Sequence, residues 1–172
     1  MWTAALSLVA AGIAVAQVGL QWALPAYLAA ALATGPLVVI DLREHRLPNV
    51  FTLPAYPVIM ALLALAALMD GQWGAFVRAL LAGLVTLAGF ALLHVINASG
   101  MGLGDVKLAG PLGMLLGWIS WNTVMWGVFL GFLTAAAWSI VLLLTKRATR
   151  SSHIAFGPFM LLGLWLALVW AG

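Results

Sequence analysis

Seven stretches of mostly apolar residues follow one another along the 172-residue chain, and they constrain its fold more than any other feature. A helix that crosses a bilayer needs roughly 20 such residues. The connections between the stretches are short. We therefore predict membrane helices over Thr3–Val18, Ala23–Ile40, Phe51–Leu68, Ala75–Ile96, Asp105–Trp118, Val124–Thr145 and Ile154–Trp170. The fifth contains Pro111 and Gly113, so we expect it to be kinked or to begin earlier.

The composition agrees with a lipid-facing surface. Hydrophobic residues make up 66% of the chain, charged residues only 6%, and the mean hydropathy is +1.17. A soluble domain would carry about a quarter charged residues. We predict an all-α, polytopic transmembrane helix bundle that forms one membrane domain over residues 1–172.

The first stretch has a second interpretation, as a signal peptide. The residues Ala14-Val15-Ala16 resemble a small-residue cleavage site. A signal peptide begins with a basic region, and residues 1–3 contain no basic residue. We therefore interpret this stretch as a helix of the bundle; six helices would remain if it were removed.

Several function classes are excluded by residue usage. The high isoelectric point reflects only seven Lys or Arg against four Asp or Glu, without a basic run interleaved with aromatic residues, so we expect no nucleic-acid partner. The absence of cysteine excludes thiol catalysis and cysteine-rich zinc sites. We expect no metal and no cofactor.

Charge and tryptophan predict the orientation of the bundle. Alternate connections, at residues 41–49, 97–105 and 146–153, hold five of the seven basic residues, and a sixth, Lys107, lies just beyond the second of them; only Arg78 lies on the other side. The positive-inside rule makes the basic side cytoplasmic. Tryptophans favour membrane interfaces, and five fall at the predicted external ends: Trp22, Trp73, Trp118, Trp121 and Trp170. We expect a membrane protein whose ionisable residues gather at the cytoplasmic face.

Two aspartates at predicted helix ends are the strongest candidates for chemistry. Asp41 ends the second helix, and Asp105 opens the fifth after the glycine-rich stretch GMGLGDVKLAG at 100–110. A solvated acid paired with Arg43 or His45 would account for Asp41, and a helix cap would account for Asp105. Neither accounts for three alternating glycines, which indicate close approach of the backbone or movement of the loop.

Two carboxylates from separate helices can hold one proton between them and activate a water molecule, one as the base and the other as the acid. A helix N-terminus favours a charged carboxylate and a C-terminus disfavours it. On that basis we expect Asp105 to be the water-activating base and Asp41 the proton donor.

These residues resemble a known family. The residues Gly102-Leu-Gly104-Asp105 are similar to the GxGD signature of intramembrane aspartic proteases, and Val106-Lys-Leu108 resembles the prepilin peptidase version of it. The stretch Asp41–Asn49 resembles that family's first aspartate motif, and Ile154–Pro158 resembles its third motif, commonly Ile-Pro-Phe-Gly-Pro. Ala155 departs from that pattern. The resemblance runs from about residue 25 to the end of the chain.

The resemblance to type IV prepilin peptidases implies an aspartic endopeptidase. Such enzymes cut type IV prepilins or pseudopilins at the cytoplasmic face, between a basic leader and a hydrophobic helix. Asp41 and Asp105 would be the catalytic pair. Longer family members have a domain with paired CxxC motifs and also methylate the new N-terminus; without cysteine, we expect a short form and no N-methyltransferase activity.

Other residues near the two motifs are candidates for shaping the site, each with a structural alternative. Lys107 is a lipid-interface anchor or a cation that stabilises negative charge. Pro48 and Asn49 start the third helix or position the substrate backbone. Phe156, Gly157 and Pro158 break the last helix near its start and shape a groove, where irregular backbone has to face protein or a wet cavity. His94 and Asn97 are interpreted as hydrogen-bonding groups between helices.

Three rival functions use the same residues. A metal-dependent protease or transporter would use the Asp, Glu and His residues, but no HExxH is present. A serine protease would use Ser99 with His94 or His153. A small transporter with two acids in an ion path would leave the three motifs without a reason. The sequence identifies neither the prepilin nor the oligomeric state.

Overall fold

A computed structural model describes residues 2–44, 47–97, 101–145 and 155–171. The described residues form seven helices and no strand: α1 Trp2–Val18, α2 Leu24–Glu44, α3 Asn49–Asp70, α4 Trp73–Ile96, α5 Leu103–Ile119, α6 Trp121–Leu144 and α7 Gly157–Ala171. Helices α2, α3, α4 and α6 are long and apolar enough to cross a membrane, and α1 and the last helix are shorter apolar helices. The predicted all-α transmembrane bundle is confirmed.

The helix ends follow local sequence signals. Gly71, with φ of 68°, ends α3 in the left-handed conformation that glycine adopts without strain, and Gln72 then donates back to the Ala67 carbonyl. This leaves a two-residue connection before α4. At the start of α6, the Ser120 side chain accepts a hydrogen bond from the Thr123 backbone N–H.

Helix α5 is the centre of the bundle. Every residue from Leu108 to Trp118 is buried, and α5 contacts α3, α4, α6 and α7. It is continuous through Pro111 and begins at Leu103, two residues before the predicted start, so the expectation of an earlier start is confirmed. At 17 residues it is about 25 Å long, and the surrounding helices shield it from lipid.

Small residues bring the helices close together. The sequence contains two glycine pairs with the four-residue spacing typical of close helix packing in membranes, Gly113 with Gly117 and Gly127 with Gly131. A Cβ on Gly113 would overlap the Thr86 hydroxyl, and a Cβ on Gly117 would overlap Ala82. In the second pair of glycines, Gly131 lies against the backbone of α7. The α4–α5 and α6–α7 contacts are therefore packed backbone to backbone, which stabilises helices in a membrane.

A proline inside a helix leaves one carbonyl without its N–H donor, four residues earlier. In α2 this proline is Pro36 and the carbonyl belongs to Leu32. The Ser7 hydroxyl of α1 donates to that carbonyl at 3.1 Å and accepts from the Gly35 N–H at 3.2 Å. Ser7 thus joins the first helix to the second beside Pro36 and supplies the hydrogen bond that the Leu32 carbonyl lacks. Backbone groups inside a membrane need such partners, because no water is present to pair with them.

Candidate active site

Asp41 lies in the last turn of α2, close to the predicted position. Its side chain is buried, with 4% of its surface exposed. Its Oδ2 accepts a hydrogen bond from the Gly157 backbone N–H at 3.1 Å. Because Gly157 is the first residue of α7, the carboxylate meets the positive end of a second helix.

A glycine at position 157 is what permits this contact. A Cβ built on Gly157 would lie 2.7 Å from Asp41 Oδ2 and 3.1 Å from Leu47 Cδ1. Any side chain there would push the carboxylate away from the N–H. Helix α7 starts at Gly157, and Ala155 and Phe156 before it are not helical, so the Phe156-Gly157-Pro158 motif lies at the start of the last helix. Residues 146–154 lie outside the described part of the chain, so the predicted break is not tested beyond Ala155.

Asp105 lies in the first turn of α5, three residues after the N-cap Gly102. It is also buried, with 7% exposed. Its carboxylate accepts a hydrogen bond from the Gly102 backbone and is close enough to Asp41 for the two charges to interact. An acid that reaches back to the N-cap N–H is one half of a capping box.

The two aspartates line one cavity of about 610 Å³ at the end of the bundle. The cavity is open, and both polar and apolar residues line it. Its wall comes from the ends of α2 and α4, the starts of α3 and α5, and the connections between them. Its described lining residues are Asp41, Glu44, Leu47, Pro48, Asn49, His94, Met101, Gly102, Leu103, Gly104, Asp105 and Lys107. The structure therefore brings both sequence motifs with an aspartate to a single cavity.

Lys107 and Asn49 form a direct contact across this cavity. The Lys107 ammonium donates to Asn49 Oδ1 at 2.9 Å. Asn49 is the first residue of α3, and Pro48 is its N-cap, which confirms the prediction that the pair starts the third helix. The cation is thus held two residues from Asp105, a position from which it can stabilise negative charge.

The two glycines before Asp105 differ in their surroundings. A Cβ on Gly104 would lie 2.8 Å from Leu47 Cβ and 3.3 Å from the Leu47 nitrogen, so this glycine allows the connection after α2 to approach α5. A Cβ on Gly102 would meet only Asp105 Oδ2, at 3.4 Å, and the nearby Gly104 nitrogen at 3.9 Å. Gly102 leaves room beside the carboxylate, whereas Gly104 serves packing. Gly100 lies outside the described residues.

Phe156 and Pro158 line other spaces. The Phe156 ring packs against Phe90 and Phe132, with centroid distances of 6.0 and 4.9 Å. Pro158 lines an apolar groove beside Trp165, between α1, α2 and α7. Within the described part of the third motif, residues 155–158, Gly157 contacts Asp41, and Phe156 and Pro158 pack at the start of α7.

Two ionisable residues that line the cavity, Glu44 and His94, were not selected from the sequence as part of the site. Glu44 follows Asp41 by three residues, a spacing that places both on one side of a helix and is a signal that sequence reading offers. His94 Nδ1 donates to the Met101 carbonyl at 2.7 Å. His94 was interpreted as a link between helices; it instead joins the end of α4 to the connection before α5.

The helix dipoles do not separate the two carboxylates as the sequence predicts. Asp41 is in the last turn of α2, but it also accepts from the first N–H of α7. Asp105 accepts at the N-terminus of α5. The positive end of α7 thus offsets the negative end of α2 at Asp41, which weakens the argument that assigned base and acid from helix position.

The structure also bears on the metal-dependent and serine-protease alternatives. Within the described ranges, no three His, Cys, Asp or Glu side chains gather as ligands of one metal ion. The serine alternative uses Ser99, and one of its two candidate histidines is His153; both residues lie outside the described part of the chain. His45, suggested as a partner of Asp41, lies outside it too. The same is true of the predicted basic connection with Lys146, Arg147 and Arg150.

Comparison with known proteins agrees with the geometry. The model of the type IV leader peptidase family matches residues 26–140. A prepilin leader peptidase/N-methyltransferase of Aeromonas hydrophila is 33% identical over 162 residues, which cover 83% of this chain and 49% of that protein. The proteins with that name from Stutzerimonas stutzeri and Pseudomonas aeruginosa are each 30% identical, over 88% of this chain and 52% and 51% of their own length.

The chain spans about half the length of the curated relatives that it matches. No solved structure matches it.

Proposed function

The chain belongs to the type IV leader peptidase family, and we propose that it is an aspartic endopeptidase that removes the leader peptide of type IV prepilins or pseudopilins. The observation that carries this proposal is the pair of buried aspartates, from separate helices, on one cavity. The chain is a multi-pass membrane protein, so the cavity lies at a membrane face where the peptide bond of a membrane-anchored substrate can reach it.

The proposed reaction uses the two carboxyl groups as a pair. Two buried carboxylates close together repel each other when both are charged, so the pair holds one proton. The ionised group takes a proton from water as the water oxygen attacks the scissile carbonyl carbon. The protonated group gives its proton to the carbonyl oxygen. Collapse of the tetrahedral intermediate breaks the C–N bond. The leaving nitrogen takes the proton that the first carboxyl group removed from water, and a hydroxyl of the intermediate returns its proton to the other carboxylate as the new carboxyl group forms.

The two backbone contacts position the pair. The Gly157 N–H holds the Asp41 carboxylate, and the start of α5 holds that of Asp105. Since both groups meet a positive helix end, either one can be the ionised member. Lys107, held by Asn49, supplies a fixed positive charge near the developing oxyanion.

We further propose that the cavity faces the cytoplasm and that the protein lies in the bacterial cytoplasmic membrane. Asp41, Glu44 and Asp105 line the cavity at one end of the bundle, and Arg78 contacts the other end of α5. The excess of basic residues in the connections on the cavity side supports this orientation. We also propose that residues 1–172 form one membrane domain.

The proposal is tested by cleavage of a type IV prepilin from Aeromonas hydrophila in membranes that contain the wild type, Asp41→Asn or Asp105→Asn. Asparagine keeps the shape and removes the proton-transfer group, so each variant should cleave about 10²- to 10⁴-fold more slowly. Asp70→Asn, at the far end of α3, is the matched control and should cleave normally. Wild-type cleavage by either of the first two variants would overturn the dyad.

A further inference from the structure

Helix α5, like α2, contains a carbonyl that a proline four residues later leaves without its helical N–H donor. Pro111 has no N–H, so the Lys107 carbonyl in α5 lacks its usual donor, and the proline ring pushes that carbonyl outward. The Tyr56 hydroxyl of α3 donates to this carbonyl at 2.9 Å. A hydroxyl from another helix thus replaces the missing backbone hydrogen bond.

The surroundings of Tyr56 are shaped for this contact. A Cβ on Gly110 would overlap the Tyr56 ring and hydroxyl, so glycine at this position makes room for the side chain. Asn49 and Tyr56 are seven residues apart, which places them on the same face of α3. Lys107 is consequently held to α3 twice, by its side chain on Asn49 and by its carbonyl on Tyr56.

We propose that Tyr56 is a positioning residue that fixes the first turn of α5, and with it Asp105, relative to Asp41. Lys107 follows Asp105 by two residues within the same turn, so a shift of its carbonyl is transmitted to the Asp105 backbone. Without the hydroxyl, the turn has an unpaired carbonyl in a membrane protein and moves to find another donor. The inference rests on the proposed peptidase function.

Tyr27 of α2 offers a matched comparison, because its hydroxyl also donates to a carbonyl of α5. Its hydroxyl donates to the Leu115 carbonyl of α5 at 2.7 Å. Leu115 lies ten residues beyond Asp105, about 15 Å along the helix, and its carbonyl keeps the backbone N–H of residue 119 as a donor. Loss of the Tyr27 hydroxyl therefore removes a buried hydrogen bond from α5 without freeing a carbonyl near the aspartates.

The first experiment compares Tyr56→Phe with Tyr27→Phe, using the Aeromonas hydrophila prepilin as substrate and thermal unfolding in detergent as a measure of folding. We expect Tyr56→Phe to lower kcat about 10- to 100-fold with KM little changed, because the reacting groups are misplaced. Tyr27→Phe should lower Tm and leave kcat within about twofold of wild type. A folded Tyr56→Phe protein with wild-type kcat, or an equal loss of kcat in both variants, would overturn the proposal.

The second experiment tests the cause. Pro111→Ala restores an N–H that can pair with the Lys107 carbonyl, so Tyr56→Phe should have a much smaller effect on both kcat and Tm in the Pro111→Ala background. Equal effects in the two backgrounds would show that the hydroxyl does not act through this carbonyl. If the wild type cleaves no prepilin, the proposed function fails; if it cleaves and Tyr56→Phe cleaves equally well, only the positioning role fails.

Discussion

Replacement of Gly157 by alanine tests whether the contact between α7 and the Asp41 carboxylate matters for catalysis. The added Cβ would lie 2.7 Å from Asp41 Oδ2 and 3.1 Å from Leu47 Cδ1. The first distance is too short for a Cβ contact, so the carboxylate or the start of α7 has to move. Either movement lengthens the 3.1 Å hydrogen bond from the Gly157 N–H to Asp41.

The magnitude follows from the kind of hydrogen bond that is lost. A hydrogen bond to a charged group contributes about 1.5–3 kcal/mol. If the displaced carboxylate loses that much stabilisation in the transition state, the rate falls about 10- to 100-fold, since 1.36 kcal/mol is a factor of ten. Alanine also has the higher helix propensity, so a loss of activity cannot be assigned to a weaker helix.

The assay is prepilin cleavage in membranes, with thermal unfolding of the purified variant measured alongside. Gly89→Ala is the matched control, because Gly89 lies in the exposed face of α4 and a Cβ there meets nothing within 4 Å. We expect the control to cleave normally. Wild-type cleavage by Gly157→Ala would show that the α7 contact does not position Asp41, and the argument from Gly157 would be wrong.

Three further outcomes follow from the structure. Gly104→Ala should lower both Tm and activity, because its Cβ meets Leu47. Gly102→Ala should lower activity alone, since among the described residues its Cβ meets the Asp105 carboxylate and the Gly104 nitrogen. Equal Tm losses in the two variants would contradict this difference. Arg78→Met should lower stability by about 1.5–3 kcal/mol, since the guanidinium donates to three carbonyls at the end of α5, and unchanged unfolding would refute that account. Cleavage should persist in excess chelator, and its loss would favour the metal-dependent alternative.

The bundle was largely predictable because membrane helices are encoded locally. A run of about 20 apolar residues has to form a helix in lipid whatever surrounds it, since its backbone groups find no water. All seven predicted stretches are helices, and most ends agree within a few residues. The close packing at Gly113 and Gly117 was also predictable, because a small residue every fourth position defines one face of a helix.

The two aspartates were found in the sequence through their motifs, in which Asp41 precedes a basic, polar stretch that ends in Pro48-Asn49, and Asp105 directly follows alternating glycines. Each motif is short and continuous, so its residues stay together in any fold. The link between Lys107 and Asn49 joins two such motifs, and the sequence named both residues without indicating that they touch.

What the tertiary structure alone decided is which groups approach each other from distant parts of the chain. The start of α7 meets Asp41 across 116 positions, which reduces the predicted difference between the two carboxylates. Tyr56 meets the Lys107 carbonyl across 51 positions. Apolar periodicity in these helices is weak because lipid and protein are both apolar, so the sequence does not indicate which face turns inward. Helix rotation is set by packing and by unpaired carbonyls, and these become visible only when the helices are assembled.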